Sequence, residues 1–406
     1  MAFQPEFGVT LNNTPQLDAF HRLRVSSPHL LASSLPVLNK MPRYWNETIV
    51  NASGNTTSVK HAYRPSIVLT CGATVGDGVL REQKVYNVYQ AGQSQKATLT
   101  GVLTAEANYA KWMGYGDALD GIFLGYNGTG HVLRFRTSVD TGTAVDTDVA
   151  QATWNVDPMD GTGPSGVTVD WTKGQIFAVD LQFLALGRIR CYLDIDGAPY
   201  LIHEFKHSNI IARPYWRTAS LPTRFEIRAL AGAAGTATFE TICAENTREG
   251  GDIPGGTSVS VSTNVAATAP TVTTTERSIL SIRLRDAARL GAHLRPYGAQ
   301  VHPLGSSIVR WRLLFNPTVA GLSWSDTGDV AQVSTTQSTV TSPGYVVASG
   351  YVERAASSVS GSVDLPLYAN VYVGNNVTTS DVLVLSVQQV SGTDSVHAAM
   401  RFFEVY

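Results

Sequence analysis

A histidine pair with zinc-protease spacing is the sharpest chemical signal in the sequence. His203 and His207 enclose Glu204 in the pattern H-E-x-x-H. On a helix this spacing places both imidazoles on one face, about 6 Å apart, where they can share a zinc ion. On a strand the same spacing spans about 13 Å, which is too far for one metal. The segment alternates like a strand, and so does the segment around Glu226, the acid best spaced for a third ligand. The histidines are therefore only weak metal-site candidates.

A glycine-rich stretch matches a nucleotide-binding pattern without its usual context. Residues 161–166 read G-T-G-P-S-G, which fits G-x-G-x-x-G. A dinucleotide site needs this loop between a strand and a helix whose N-terminus faces the pyrophosphate. Pro164 interrupts the run, and Gly166 leads into a strand-like pattern. The stretch therefore predicts a structural loop, and no cofactor is expected.

Two pairs of aspartates lie beside predicted turns. Asp194 and Asp196 flank one turn, and Asp117 and Asp120 precede another. Paired carboxylates can bind calcium or act as an acid–base pair. Aspartate is also selected at turns because its side chain bonds the local backbone. The turn explanation is preferred for both pairs.

Aromatic residues near glycine-rich segments are candidates for ligand contact. Trp112, Tyr115 and Tyr126 could stack on a sugar or touch a host surface. The competing explanation, that these rings pack in a core or an interface, is preferred because large aromatics dominate both.

These residues must be positioned by strands. Phe177, Val179 and Leu181 share one face of an alternating segment, and a second alternating segment covers residues 189–195. Asp196-Gly197 then predicts a tight hairpin turn. Many short strands separated by Gly, Asn and Asp predict an all-β protein, with a jelly-roll or concanavalin-like sandwich followed by a smaller C-terminal β-sandwich.

The chain divides into four predicted segments. Residues 1–27 form an N-terminal anchoring arm, and residues 28–248 form the main sandwich. Residues 249–275 are rich in Gly, Ser and Thr, and they are interpreted as a flexible linker or as a strand exchanged with a neighbour. Residues 276–406 form the C-terminal sandwich.

Composition limits the functional classes. Only 15% of residues are charged and the net charge is −2, so there is no global field to attract nucleic acid or an anionic membrane. No apolar run approaches the roughly 20 residues of a membrane span, and the N-terminus lacks a signal-peptide layout. Three widely spaced cysteines predict free, buried thiols and synthesis in a bacterial cytoplasm.

Three sequence elements resemble a family of tailed-bacteriophage virion proteins. The segment 18–26 (DAFHRLRVS) resembles the family's DAFGRLRVS element, with His21 at its usual glycine. The segment 154–166 resembles a WNVDxxDGTGPSG element. The third element is a set of short runs in consistent order between residues 187 and 227, which includes the H-E-x-x-H residues. Together these elements cover most of residues 18–250.

The resemblance implies a non-enzymatic virion component made in the host cytoplasm. A tail fibre or tail appendage is preferred, and it would form a homo-oligomer, with a trimer as first choice. It would dock through the arm on other virion proteins of the tail or capsid. It would also contact the host surface, where glycans are the expected partners. The docking residues predicted from position and composition are Asp18, Phe20, Arg22, Leu23, Arg24 and Val25. The alternatives are a capsid decoration or head-fibre protein, and a tailspike-like hydrolase that acts on glycans or depends on zinc.

Overall fold

The computed structural model describes residues 28–84, 86–250, 256–263, 269–285, 292–353, 361–364, 371–372 and 380–405. The chain divides into two compact units, Met1–Ile253 and Pro254–Tyr406. The predicted arm and its six docking residues lie outside the described residues. No described segment forms a helix with the length and apolarity of a membrane span.

The first unit contains fifteen strands in two antiparallel sheets. The strands are β1 Pro28–Ser34, β2 Trp45–Val50, β3 Thr57–Lys60, β4 Ile67–Cys71, β5 Gly78–Gln83, β6 Gln95–Val102, β7 Tyr109–Gly116, β8 Gly121–Asn127, β9 His131–Thr137, β10 Val145–Ala150, β11 Gly174–Leu181, β12 Ile189–Ile195, β13 Ala198–Phe205, β14 Thr223–Ala229 and β15 Ala237–Glu249. One sheet has the order β13-β12-β11-β6-β15-β4-β3, and β1 also pairs with β15. The other has the order β10-β9-β8-β7-β14-β5-β2. This is the predicted jelly-roll or concanavalin-like sandwich, and the all-β prediction is confirmed.

Alternation along the strands builds the core between the sheets. In β11, Phe177, Val179 and Leu181 are wholly buried, as their period of two predicts. The turn between β12 and β13 has Asp196 at φ 54° and Gly197 at φ 79°. Both turn residues therefore adopt the positive φ of a tight hairpin, as the sequence predicted.

The second unit is a smaller β-sandwich. Its strands are β16 Thr257–Ser262, β17 Thr271–Val272, β18 Arg277–Leu284, β19 His293–Pro303, β20 Val309–Phe315, β21 Thr318–Val319, β22 Ser325–Thr327, β23 Ala331–Ser334, β24 Val340–Ser342, β25 Tyr345–Val352, β26 Gly361–Asp364, β27 Val371–Tyr372, β28 Val382–Gln389 and β29 Asp394–Val405. One sheet has the order β16-β29-β19-β26, the other β22-β23-β18-β28-β20-β25, and β21 pairs with β24. Val396, Met400 and Phe402 of β29 are buried in the core.

Part of the predicted linker belongs to the second unit. Residues 257–262 form β16, which pairs along β29 of the same chain, and β17 pairs with β29 as well. Val261 is buried, whereas Ser260 and Ser262 are exposed. The Ser-Val alternation is thus that of an edge strand with one face in the core. For residues 257–262 the flexible-spacer interpretation is corrected, and the exchanged-strand alternative stays a prediction.

Candidate functional site

The H-E-x-x-H motif begins in a strand and ends in the turn that follows it. His203 belongs to β13, and His207 comes two residues after that strand ends. His203 Nδ1 accepts a hydrogen bond from the Asn155 backbone N–H at 3.0 Å, whereas His207 Nδ1 lies 2.9 Å from the Gly187 carbonyl oxygen. Each ring is held by a different loop. Within the described part of the chain, no three His, Cys, Asp or Glu side chains are grouped to hold a metal.

Both imidazoles are packed like aromatic core side chains. His203 meets the Phe205 ring edge-on at 4.5 Å, and His207 stacks on Tyr215 at 4.0 Å. Burial lowers the pKa of His203 to about 4 and also lowers the pKa of His207. The rings are therefore neutral at pH 7 and serve packing.

The acid of the motif is used in ion pairs. Glu204 is buried, and its carboxylate lies 3.1 Å from Arg188 Nη1 and 3.3 Å from Lys206 Nζ. A zinc-protease glutamate must instead face an activated water. Glu226, the third ligand considered, lies in the other sheet, where it bonds Arg224.

The segment 154–157 lies along the outer edge of β13. Asn155 Nδ2 donates to the Glu204 carbonyl at 2.8 Å, and Asn155 Oδ1 accepts from the Glu204 N–H at 2.9 Å. The N–H groups of Val156 and Asp157 both reach the Ile202 carbonyl. This segment, called the edge cover below, satisfies backbone groups that a terminal strand would otherwise expose.

The G-x-G-x-x-G stretch is a loop that Asp157 holds in place. The Asp157 carboxylate accepts hydrogen bonds from the backbone N–H groups of Met159 and Ser165, both at 2.8 Å. Gly161 and Gly166 have φ values of 88° and 67°, which explains glycine at these two positions. The loop prediction agrees with this geometry.

The paired aspartates hold turns. Asp117 Oδ1 accepts from the Asp120 N–H at 2.9 Å, and Asp120 Oδ1 accepts from the Ser138 N–H at 2.8 Å. In the β12–β13 hairpin, Asp194 Oδ1 accepts from the Gly197 N–H at 3.0 Å. Asp117 and Asp194 satisfy local backbone donors, as expected for Asx turns, whereas Asp120 bonds a backbone donor 18 positions away.

The three aromatic candidates do not form an accessible surface. Trp112, Tyr115 and Tyr126 are 5%, 0% and 7% exposed. Tyr115 faces the core and donates its hydroxyl hydrogen to the Ala219 carbonyl at 2.6 Å. Positions 112 and 115 differ by an odd number, so a strand turns Trp112 to the opposite face. The sugar-contact prediction is corrected here, because the packing alternative describes where all three rings lie.

The face of the seven-stranded sheet turned away from the main core carries a charge network that the sequence reasoning missed. It is called the outer-face network, and its members are Glu82, Arg134, Arg136, Asp146, Asp148, Arg224 and Glu226. The members form two ion-pair clusters on this face. Strand register sets Arg224 opposite Glu82 in one cluster, and it sets Asp146 opposite Arg136 and Asp148 opposite Arg134 in the other. The signal available in the sequence was charge at alternate positions of β9, β10 and β14.

Arginines make the ion pairs in both parts of the outer-face network. Arg224 donates to Glu82 at 3.2 Å and to Glu226 at 2.9 Å. Arg134 bonds Asp148 through two nitrogens, at 2.7 and 3.0 Å, and its guanidinium lies 3.8 Å from the centre of the Trp112 ring. Such bidentate and stacked contacts hold arginine in a fixed geometry.

Two glycines make room for the Trp112 and Phe123 rings on this face of the sheet. A Cβ on Gly125 would lie 2.1 Å from the Lys111 carbonyl oxygen and 2.4 Å from the Trp112 ring. A Cβ on Gly114 would lie 2.8 Å from the Phe123 ring. Glycine at these two positions therefore lets both rings lie close to the sheet.

The two glutamates of the network have opposite pKa shifts. Burial raises the pKa of Glu82 to about 7, although Arg224 opposes the shift. Burial would also raise the pKa of Glu226, but Arg224 outweighs it, and the pKa of Glu226 is lowered. Two carboxyl groups with different pKa values can act as a catalytic acid–base pair. Here Arg224 is bonded to both, so it occupies the space between them that a substrate bond would need.

No protein-family model matches this sequence, and no curated protein matches it. Among solved structures, a legume lectin-like domain from Entamoeba histolytica is 11% identical over 54% of this chain and 98% of that chain, with a TM-score of 0.31. An endo-β-1,3-glucanase from Pyrococcus furiosus is 13% identical over 55% and 95%, with a TM-score of 0.35. The receptor-binding domain of botulinum neurotoxin mosaic serotype C/D is 9% identical over 54% of this chain, with a TM-score of 0.32, and the match spans only 47% of the toxin chain. Nothing about activity or ligand follows from likenesses this distant.

Proposed function

We propose that the chain is a non-enzymatic structural protein of a tailed-bacteriophage particle. Its role would be that of a tail fibre or other tail appendage, which docks on the particle and contacts the host surface. It would be made in the host cytoplasm and assembled as a homo-oligomer, with a trimer as first choice. The proposal rests on the three sequence elements that resemble virion proteins and on what their residues do in the fold.

The observation that carries the proposal is that these elements hold one another. Asn155, from the second element, bonds the backbone of Glu204, from the third. Within the third element, Arg188 pairs with Glu204, and His207 meets the Gly187 carbonyl. The polar groups of the motif residues therefore form hydrogen bonds and ion pairs within the sandwich. This favours a structural role over the zinc-dependent hydrolase considered as an alternative.

Incorporation into particles tests the proposal. Particles from a producing strain would be purified on a density gradient, and this chain would be quantified by mass spectrometry against the major capsid protein. We expect the chain in a few to a few dozen copies per particle, in a multiple of its oligomer. Hundreds of copies would favour the capsid decoration or head-fibre alternative. Absence from infectious particles would contradict a virion role.

The arm can be tested in the same particles. Alanine at Asp18, Phe20, Leu23 and Val25 is expected to leave the sandwich folded and to remove the chain from particles. Alanine at Asn12 and Asn13 is the matched control, which should assemble normally. Equal incorporation of both variants would remove the docking role from this segment.

A further inference from the structure

One side of the first unit leaves the edges of both sheets uncovered by any described strand. It is called the open side and consists of β1, residues 35–44, β2 and β3. β2 ends the seven-stranded sheet, and β3 ends the eight-stranded sheet. The two edges are neighbours, because Lys40 Nζ lies 2.9 Å from Glu47 on β2 and 3.2 Å from the Ser58 carbonyl on β3.

Exposed apolar side chains concentrate on the open side and its adjoining turns. Of the 21 large hydrophobic residues that are exposed in the described part of the chain, ten lie between residues 30 and 75. Their exposed fractions amount to about six whole residues, on the order of 1,000 Å². A standard interface takes about 800 Å² from each partner. The ten residues are Leu30, Leu35, Val37, Leu38, Tyr44, Ile49, Val50, Val59, Tyr63 and Val75.

Several charged side chains on this side are paired within the chain, whereas Lys60 on β3 bonds the backbone carbonyls of His61 and Arg64. Glu47 bonds both Lys40 and Arg81, each through one carboxylate oxygen. Arg64 pairs with Glu240 at 3.1 Å. Two copies of this surface can therefore meet with these paired charges already neutralised, which favours self-association.

The opposite side of the same sandwich is protected. β13 has the edge cover along it, and β10 ends the seven-stranded sheet with Asp146 and Asp148 bonded to arginines of β9. Charge and covering loops are the usual protection of strand edges. On the open side, by contrast, the contacts to these edge strands from residues 35–44 include those of Lys40, and exposed apolar side chains remain beside them.

We propose that the open side is the surface through which copies of this chain associate. Association of β2 and β3 edges buries the apolar side chains and gives partners to edge backbone groups. Within the described part of the first unit, the other sheet edges, β13 and β10, are covered or charged, so association through this unit is directed to the open side. The inference is independent of where the protein sits on a particle, so its failure and the failure of the virion role are separable.

The mass of the purified full chain in solution tests the inference. Light scattering after size exclusion at tens of micromolar should give two or three times the chain mass of 43.5 kDa. The double variant Leu38→Asp/Val59→Asp should lower the mass to that of one chain. Ile210→Asp is the matched control, because Ile210 is 70% exposed on a loop that follows β13. It should keep the wild-type mass.

Three results would overturn the inference. The first is a wild-type mass of one chain at these concentrations. The second is an oligomer that survives in the double variant, with circular dichroism showing the variant folded. The third is a double variant that keeps its mass but no longer joins particles, because the open side would then bind another virion protein.

Discussion

The strands β13, β2 and β3 all end sheets of the first unit, yet their surroundings differ. β13 is flanked by the edge cover, whose Asn155 bonds both backbone groups of Glu204. β2 and β3 have no described strand paired on their outer sides, and they carry exposed Ile49, Val50 and Val59. A terminal strand needs protection or a partner. The difference indicates that one side of the sandwich is complete within the chain and that the other is completed by association.

The largest effect is expected at a buried ion pair next to the protected side. Asp180 on β11 pairs with Arg190 on β12, and both side chains are wholly buried. Asp180→Ala should lower the free energy of unfolding by about 3–5 kcal/mol, because it leaves a buried guanidinium without its counter-charge. Lys40→Ala removes a partly exposed pair from the open side and should cost less than about 1 kcal/mol. Urea titration measures both values, and equal losses would break the contrast.

The next effect is a pH dependence within the outer-face network. The pKa of Glu82 is raised from 4.5 to about 7 on folding, so the folded state keeps this proton to higher pH. The stability that this bound proton contributes is complete below pH 4.5 and is lost as the pH rises through 7. The wild type should therefore lose up to about 3 kcal/mol of unfolding free energy between pH 4.5 and 8, and Glu82→Gln should not show this loss.

The measurement is the difference in unfolding free energy between wild type and Glu82→Gln across this pH range. The difference isolates Glu82 from His203 and His207. Their lowered pKa values act in the opposite direction, since they remove stability as the pH falls below 6.5. Parallel curves for wild type and variant would show that Glu82 ionises normally.

A smaller effect is expected from loosening the edge cover. Asn155→Ala removes two side-chain hydrogen bonds to β13 and should cost about 1–3 kcal/mol. It should also speed hydrogen exchange at the Glu204 amide. Asn55→Ala, in an exposed turn of the open side, is the control and should stay within about 0.5 kcal/mol. Similar costs for the two variants would mean that the edge cover is not a stabilising feature.

The smallest effect on stability is expected on the open side itself. Leu38 is 90% exposed, so Leu38→Asp should change the unfolding free energy of the dilute, monomeric chain by less than about 0.5 kcal/mol. A loss above 1 kcal/mol would show that Leu38 packs within its own chain, and its use as an interface probe would fail.

Local patterns predicted the parts of the fold that depend on local chemistry. The meander β11–β13 and the turn at Asp196-Gly197 follow from alternation and from the positive φ that the turn requires. Local patterns do not show that β5 ends at Gln83, because the residues that follow satisfy tertiary contacts such as the bond from the Asn87 N–H to the Leu221 carbonyl. β7 was not predicted, since its buried faces mix glycine, lysine and aromatics.

The outer-face network could not be predicted in the same way. Glu82 and Arg224 are 142 positions apart, and only the register of β5 against β14 brings them together. The sequence did show that H-E-x-x-H begins on a strand and is not helical, which weakened its sharpest enzymatic signal. It could not show that Trp112 and Tyr115 face opposite ways, because β7 itself was missed.

Hydrogen exchange at two protein concentrations tests the contrast between the two sides most directly. We expect the backbone amides of β13 to be protected equally at nanomolar and at tens of micromolar concentrations of the chain. The outward-facing amides of β2 and β3 should be protected only at the higher concentration. Protection of β2 and β3 that does not depend on concentration would contradict the account, because these edges would then be neither completed by association nor open.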